Sequence, residues 1–200
     1  MRIEPQIRES EQLTQWLDSE IDGLQTPADD RSRLAAGCLD TALEHHKSIV
    51  LLIDNALYGS AAALIRLLFE AYVRGVWLLY SASDEEIEQF KDDKLNKAFG
   101  ELIADLESRE PFDGGTLSHV KEVSWKAMNS LTHSGLSQVA RRITSDAITP
   151  NYTDEELKDV LETANSIGVL AAVAIACMAG DEELVCKVSD RGMKLLKNKP

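Results

Sequence analysis

Proline is scarce: five in 200 residues, at positions 5, 27, 111, 150 and 200. None of them interrupts a long periodic segment, so long helices are open to this chain. Sustained alternation of Val, Ile, Thr and Tyr is also missing, and without it no convincing strand can be drawn. There are only three cysteines, Cys38, Cys177 and Cys186. An odd count at wide spacing excludes a disulfide framework and fits no zinc site. Each reads as a small apolar residue in a reducing cytoplasm.

Positive charge is in deficit. Lys and Arg number 21 against 34 Asp and Glu, giving a net charge of −13. That argues against a broad DNA-binding surface, which needs a basic face. Local exceptions are Arg141-Arg142 and a basic tail of Lys187, Arg191, Lys194, Lys197 and Lys199. The tail is also ordinary helix-dipole chemistry.

Chemical signatures are absent too. No His-Glu-x-x-His motif, no paired Glu-x-x-His motifs and no nucleophile elbow occur. Gly114-Gly115 is a loop pair rather than a phosphate cradle. Glu44-His45-His46 lacks ligand spacing, because neighbours on a helix point about 100° apart. No metal and no cofactor are therefore expected. The N-terminal MRIEPQIRESEQ has no apolar core of the signal-peptide kind. Two apolar stretches call for a membrane check. Residues 58–80 are long enough to span but carry three central charges, and residues 167–180 are too short. Both read as core helices, and no membrane partner is expected.

What is present is helical periodicity. Ser10 is placed to cap a first helix carrying Leu13, Trp16, Leu17, Ile21 and Leu24, ended by Gly23 and Pro27. A second helix spans about 29–57 with the stripe Ala35, Leu39, Ala42, Leu43, His46, Ile49, Val50, Ile53 and Leu57. Gly59 marks a break or tight turn into a third helix. Ser83-Asp84-Glu85-Glu86 and Thr153-Asp154-Glu155-Glu156 are capping boxes that open further helices. Amphipathic pieces cover about 94–108 and 116–133, and 136–143 suits one or two extra turns. The last helices run to about Ala179 and from Asp181 to about Lys197, broken at Gly180. The expectation is one all-α domain over residues 1–200, a helical bundle with four long helices and several shorter ones.

The third helix, YGSAAALIRLLFEAYVRGVWLLY, holds the best functional lead. Its ionisable residues between the end tyrosines, apart from Tyr72, are Arg66, Glu70 and Arg74, spaced by four and so on one stripe. Apolar residues occupy most of the rest, the pattern of a helix surrounded by neighbours. Charges in such a place need partners or a wet groove. An Arg-Glu-Arg ladder serves either as a structural or dimer-interface network or as a site. His133, in Asn129-Ser130-Leu131-Thr132-His133-Ser134-Gly135, is the second element. Imidazole transfers protons near neutral pH, and it is equally at home as a solvated helix end. His46 centres the apolar stripe of the second helix. One or two hydrogen bonds would satisfy it there, and the ladder lies within reach of the neighbouring helix.

The segments RLLFEAYVRGVWL and MNSLTHSG resemble a group of bacterial helical proteins distantly similar to the HEPN superfamily of nucleic-acid-linked helical domains. The resemblance rests on residues 58–80 and 124–142. It implies an all-helical fold, a homodimer, and a defence or toxin-type role acting on RNA or a nucleotide. The resemblance would carry metal-independent cleavage by Arg66, Glu70 and His133, with Arg74 and Asn129 as binding residues; His46, by its reach toward the ladder, and Arg141, as a local basic residue, are the further candidates for binding. HEPN ribonucleases place an Arg four to six residues before a His on one helix. Here no Arg stands at that spacing, and the nearest arrangement is His133 before Arg141. The alternatives are a non-catalytic interaction module built on the same network, and a small-ligand pocket between helices.

Overall fold

Apolar residues at helical spacing demand neighbours, and the chain supplies them by folding back on itself. A computed structural model describes residues 3–197, with side chains through residue 195. Lys199 of the basic tail and Pro200 lie outside the described residues. The elements are α1 (Glu4–Ile21), α2 (Asp30–Asp54), α3 (Tyr58–Tyr80), α4 (Asp84–Lys91), α5 (Phe99–Glu107), α6 (Thr116–Thr132), α7 (Leu136–Val139), a 3-10 turn (Ala140–Arg142), α8 (Asp154–Ala179) and α9 (Glu182–Lys197). The fold is all-α. Among the described residues, β pairing is limited to one bridge between Ile143 and Ile148.

α3 is the axis of the bundle. It packs against α2, α5, α6 and α8. Leu68, Val73, Val76, Trp77 and Leu78 are essentially sealed from water. Gly75 lets α2 approach closely: a Cβ there would lie 2.8 Å from Leu39 Cγ and 3.3 Å from the Ala35 carbonyl oxygen. Carbonyls at and just past the C-terminus of α3 are met by arginines from outside it. Arg31 Nη1 donates to Leu78 O at 2.8 Å and to Ala82 O at 2.6 Å, and Arg109 donates to Tyr80 O. Guanidinium groups there suit the negative end of the helix dipole.

Both capping boxes form, with Ser83 and Thr153 accepting from the backbone N–H of Glu86 and Glu156. Gly180 takes the left-handed conformation that ends α8, with φ 72°. Four boundaries differ from the periodic reading. α1 begins at Glu4, since Pro5 near its start is compatible with helix and Ile3 and Ile7 extend its buried stripe. Ser10 is therefore a buried mid-helix residue and not a cap. α2 stops at Asp54, leaving Leu57 exposed, and the turn into α3 is made by Ala56 at φ 57° rather than by Gly59, which is already helical. α5 begins only at Phe99 because Lys97 leaves the helical path to meet Glu86 and Asp105.

α8 is the described helix whose length and composition would allow it to cross a membrane, and 56% of its most apolar window is buried within the bundle. It packs on α1, α2, α3 and α9.

Candidate functional site

The sequence places Arg66 and Glu70 one turn apart, and the fold leaves this part of α3 at a seam with α6. Arg66 Nε donates to Glu70 Oε1 at 2.8 Å, and Nη2 lies 2.8 Å from the same oxygen in an ion pair. Its Nη1 lies 2.7 Å from His133 Nε2. A guanidinium only donates, so in this contact Nε2 accepts and the imidazole proton sits on Nδ1. The guanidinium also lies 4.8 Å from the centre of the Trp125 ring, and Trp125 stacks on Phe99 with centroids 4.8 Å apart. Side-chain exposure of Arg66 and Glu70 is 19% and 23%, and His133 is exposed. The pair is thus half-buried and open to solvent at its His133 end.

Local structure at the end of α6 sets the imidazole in place. Thr132 Oγ1 donates to the Ala63 carbonyl at 3.1 Å, pinning this end of α6 to α3 one turn before Arg66. His133 is the last half-helical residue, and Ser134 carries the left-handed turn at φ 54°. The Gly135 N–H then bonds back to the Ser130 carbonyl at 2.7 Å, a Schellman closure. Closeness is what calls for glycine at 135: a Cβ there would meet Ser130 Oγ at 2.6 Å. Asn129, one turn before His133, has a buried Oδ1 with no hydrogen-bond partner among the described residues. Its backbone carbonyl accepts from the His133 N–H.

The remaining residues singled out from the sequence go elsewhere. Arg74 does not complete a ladder. Its guanidinium sits 5.8 Å from the Phe90 ring of α4, and the charge pairing stops at Glu70. His46 faces α8 instead of the stripe on α3. Its Nε2 lies 2.9 Å from Asn165 Oδ1, and Asn165 Nδ2 donates to Ser10 Oγ at 2.8 Å. Burial pushes the His46 imidazole below its ordinary value, against weaker opposing effects from Asn165 and the negative charge of Asp18. Gly168 is what admits this ring to α8, for a Cβ there would come within 2.8 Å of His46 Cγ.

Arg141 is a strut. It binds Glu156 at the start of α8, donates to the Ser137 carbonyl at 3.2 Å and lies over the Tyr152 ring. The Glu156 carboxyl is held below its usual range chiefly by the Thr153 backbone N–H, with Arg141 adding to the effect. Gln138, on the same side, donates to the Gly59 carbonyl at 2.9 Å. Gly59 lies seven residues before Arg66, about 10 Å along the helix, so this cluster is separate from the Arg66 site.

Two polar groupings carry no motif. Trp125, which no motif marks, supplies the aromatic face under Arg66. Lys97 bridges Glu86 and Asp105 at 2.5 Å each, and Trp77 Nε1 donates to Asp105 at 2.8 Å. Burial raises the Asp105 carboxyl, but Lys97 and Trp77 outweigh it and hold the group low. Among the described residues no group of three or more His, Cys, Asp and Glu gathers as a metal site would require.

Chemically, the Arg66 seam offers a donor-only guanidinium, a carboxylate that orients it, and an imidazole at the water-facing edge. Such a set can present the guanidinium edge to an oxyanion beside the imidazole once the Arg66–His133 contact opens. No curated protein and no solved structure matches this chain. A family model, described as a family of unknown function (DUF6988), matches residues 39–194, which run from within α2 into α9 and include every member of the Arg66 seam. The match covers well over half of the sequence, and the chain belongs to the DUF6988 family.

Proposed function

We propose that the protein is a HEPN-like helical protein of defence or toxin type, and that Arg66, Glu70 and His133 receive a phosphate of RNA or of a nucleotide. The observation that carries this reading is the 2.7 Å contact between Arg66 Nη1 and His133 Nε2, made across two helices at a solvent-facing edge. Glu70 holds the guanidinium from one side through Nε and Nη2, leaving Nη1 at the solvent-facing edge beside His133. In a cleavage reaction His133 would move the proton and Arg66 would stabilise the developing negative charge. For His133 to act as a base, the substrate hydroxyl must displace Arg66 from Nε2.

The test uses purified full-length protein with total RNA and tRNA, read on gels, and calorimetry with mononucleotides. Wild type is expected to cleave RNA or bind nucleotide. Arg66→Ala and His133→Ala should each lose at least about tenfold, the scale of one charge-assisted contact. A wild type that neither cleaves nor binds removes the reading.

A second reading has its own support. Arg66 stacks on Trp125 while paired with Glu70, an arrangement that joins α3 to α6 without any ligand. The module is then a non-catalytic interaction or regulatory protein, working as a homodimer. Here Arg66→Ala lowers the melting temperature and the dimer fraction in light scattering, while His133→Ala, at an exposed position, changes neither.

A further inference from the structure

An opening lies among helices that carry no member of the Arg66 seam. A cleft of about 470 Å³ runs between α1, α8 and α9. Its volume falls in the range of small-molecule sites, roughly 300–1,000 Å³. It follows α8 from Lys158 to Val173, fifteen residues or about 22 Å of helix. The two ends differ in chemistry. Toward the C-terminal half of α8 the walls are Val169, Leu170 and Val173, faced by Met193 of α9. Toward the N-terminal half they are Gln6, Ser10 and Asn165, with Glu9, Lys158 and Glu162 also lining the cleft.

The polar end contains an imbalance. Asn165 is fixed from both sides, by His46 and by Ser10. Gln6 lines the cleft, yet its Oε1 is buried and has no hydrogen-bond partner among the described residues. An orphan acceptor of this kind costs about 1–3 kcal/mol. A ligand donor that reached this oxygen from the cleft would recover that cost. Acidic residues outnumber the lysine at this end, and the whole chain carries −13, so the local field opposes an anionic guest.

We infer that this cleft binds an elongated amphipathic molecule, with an alkyl-like body along Val169, Leu170 and Val173 and a hydroxyl or amine head that donates a hydrogen bond to Gln6. Carboxylate-headed chains are poor ligands for it. The site is independent of the phosphate reading at Arg66, and its test reads neither RNA nor nucleotide.

Calorimetry with the full-length protein and three ten-carbon probes, 1-decanol, decylamine and decanoate, each below its aggregation limit, separates the outcomes. Decanol and decylamine are expected to bind, with decanoate at least about tenfold weaker, a difference of about 1.4 kcal/mol. Leu170→Trp, made at a position 46% exposed, fills the apolar end and should abolish binding with an unchanged circular dichroism spectrum. Should that variant fold poorly, Ser166→Trp blocks the same cleft from an exposed position on α8. Gln6→Leu should weaken decanol about fivefold or more, by loss of the acceptor. Absence of binding by all three probes, decanoate binding as tightly as decanol, or full affinity in the folded tryptophan variant would each overturn the inference.

Discussion

His46 is 1% exposed, and its only polar side-chain contact among the described residues is Asn165. Burial favours its neutral form, so its folded-state value lies below the ordinary 6.5. The sign follows from linkage: between the two values the unfolded chain binds more protons than the folded one, and stability rises with pH. The contribution of His46 is complete above about pH 6.5 and is lost as pH falls through the folded-state value. His45 is depressed in the same direction, first by burial, and adds to the loss. The carboxylates held low by partners, Asp105, Glu86 and Glu156, act only at lower pH, beneath their ordinary 3.8 to 4.5. Denaturant melts between pH 7.5 and 5 should therefore show stability falling with acid. His46→Gln, which keeps a donor for Asn165 Oδ1, should flatten most of it. An unchanged slope in that variant would place the proton uptake elsewhere.

At the level of the helix, Gly75 decides how near α2 and α3 come. On propensity alone Gly75→Ala stabilises a helix by about 1 kcal/mol. Against this stands a Cβ 2.8 Å from Leu39 Cγ and 3.3 Å from the Ala35 carbonyl. Leu39 is fully buried and the carbonyl is backbone, so neither yields cheaply. Overpacking of this kind costs about 1–3 kcal/mol and should win, giving a net loss measurable in urea unfolding. Apolar period and capping boxes made most helices legible, because those signals are local. The stripe of α2 is buried as read, up to Ile53. Signals that depend on partners were not legible. Ser10 looks like a cap until Asn165 is seen beside it, and the helical period in 94–98 is overridden by the pull of Glu86 and Asp105 on Lys97. The site shows the same division. Spacing of four joined Arg66 to Glu70, and the end of α6 brought His133 to them. A stripe drifts around a straight helix as it lengthens, because four residues overshoot a turn of 3.6. That drift helps take Arg74 to Phe90 on α4, which no pattern within α3 could reveal.

Over the whole molecule, charge limits how any nucleic acid could be held. With 34 acidic residues against 21 basic ones, the net field of the molecule repels a nucleic-acid strand. Near Trp125 the balance is locally better: Arg66 lies over the ring, and Lys121 Nζ is 5.9 Å from its centre. Two cations can neutralise about two phosphates, and single strands release counterions with a slope of about −0.7 per phosphate. Anisotropy titrations of a short single-stranded RNA should then give log affinity against log salt with a slope near −1.5. Arg66→Ala should bring that slope closer to −0.7, whereas Arg141→Ala, which breaks a strut to Glu156, should leave it unchanged. A slope steeper than about −4 would require some six phosphate contacts, and so a basic face distinct from the Arg66 seam. The phosphate reading predicts a small slope because its site offers two cations, Arg66 and Lys121, in an acidic protein.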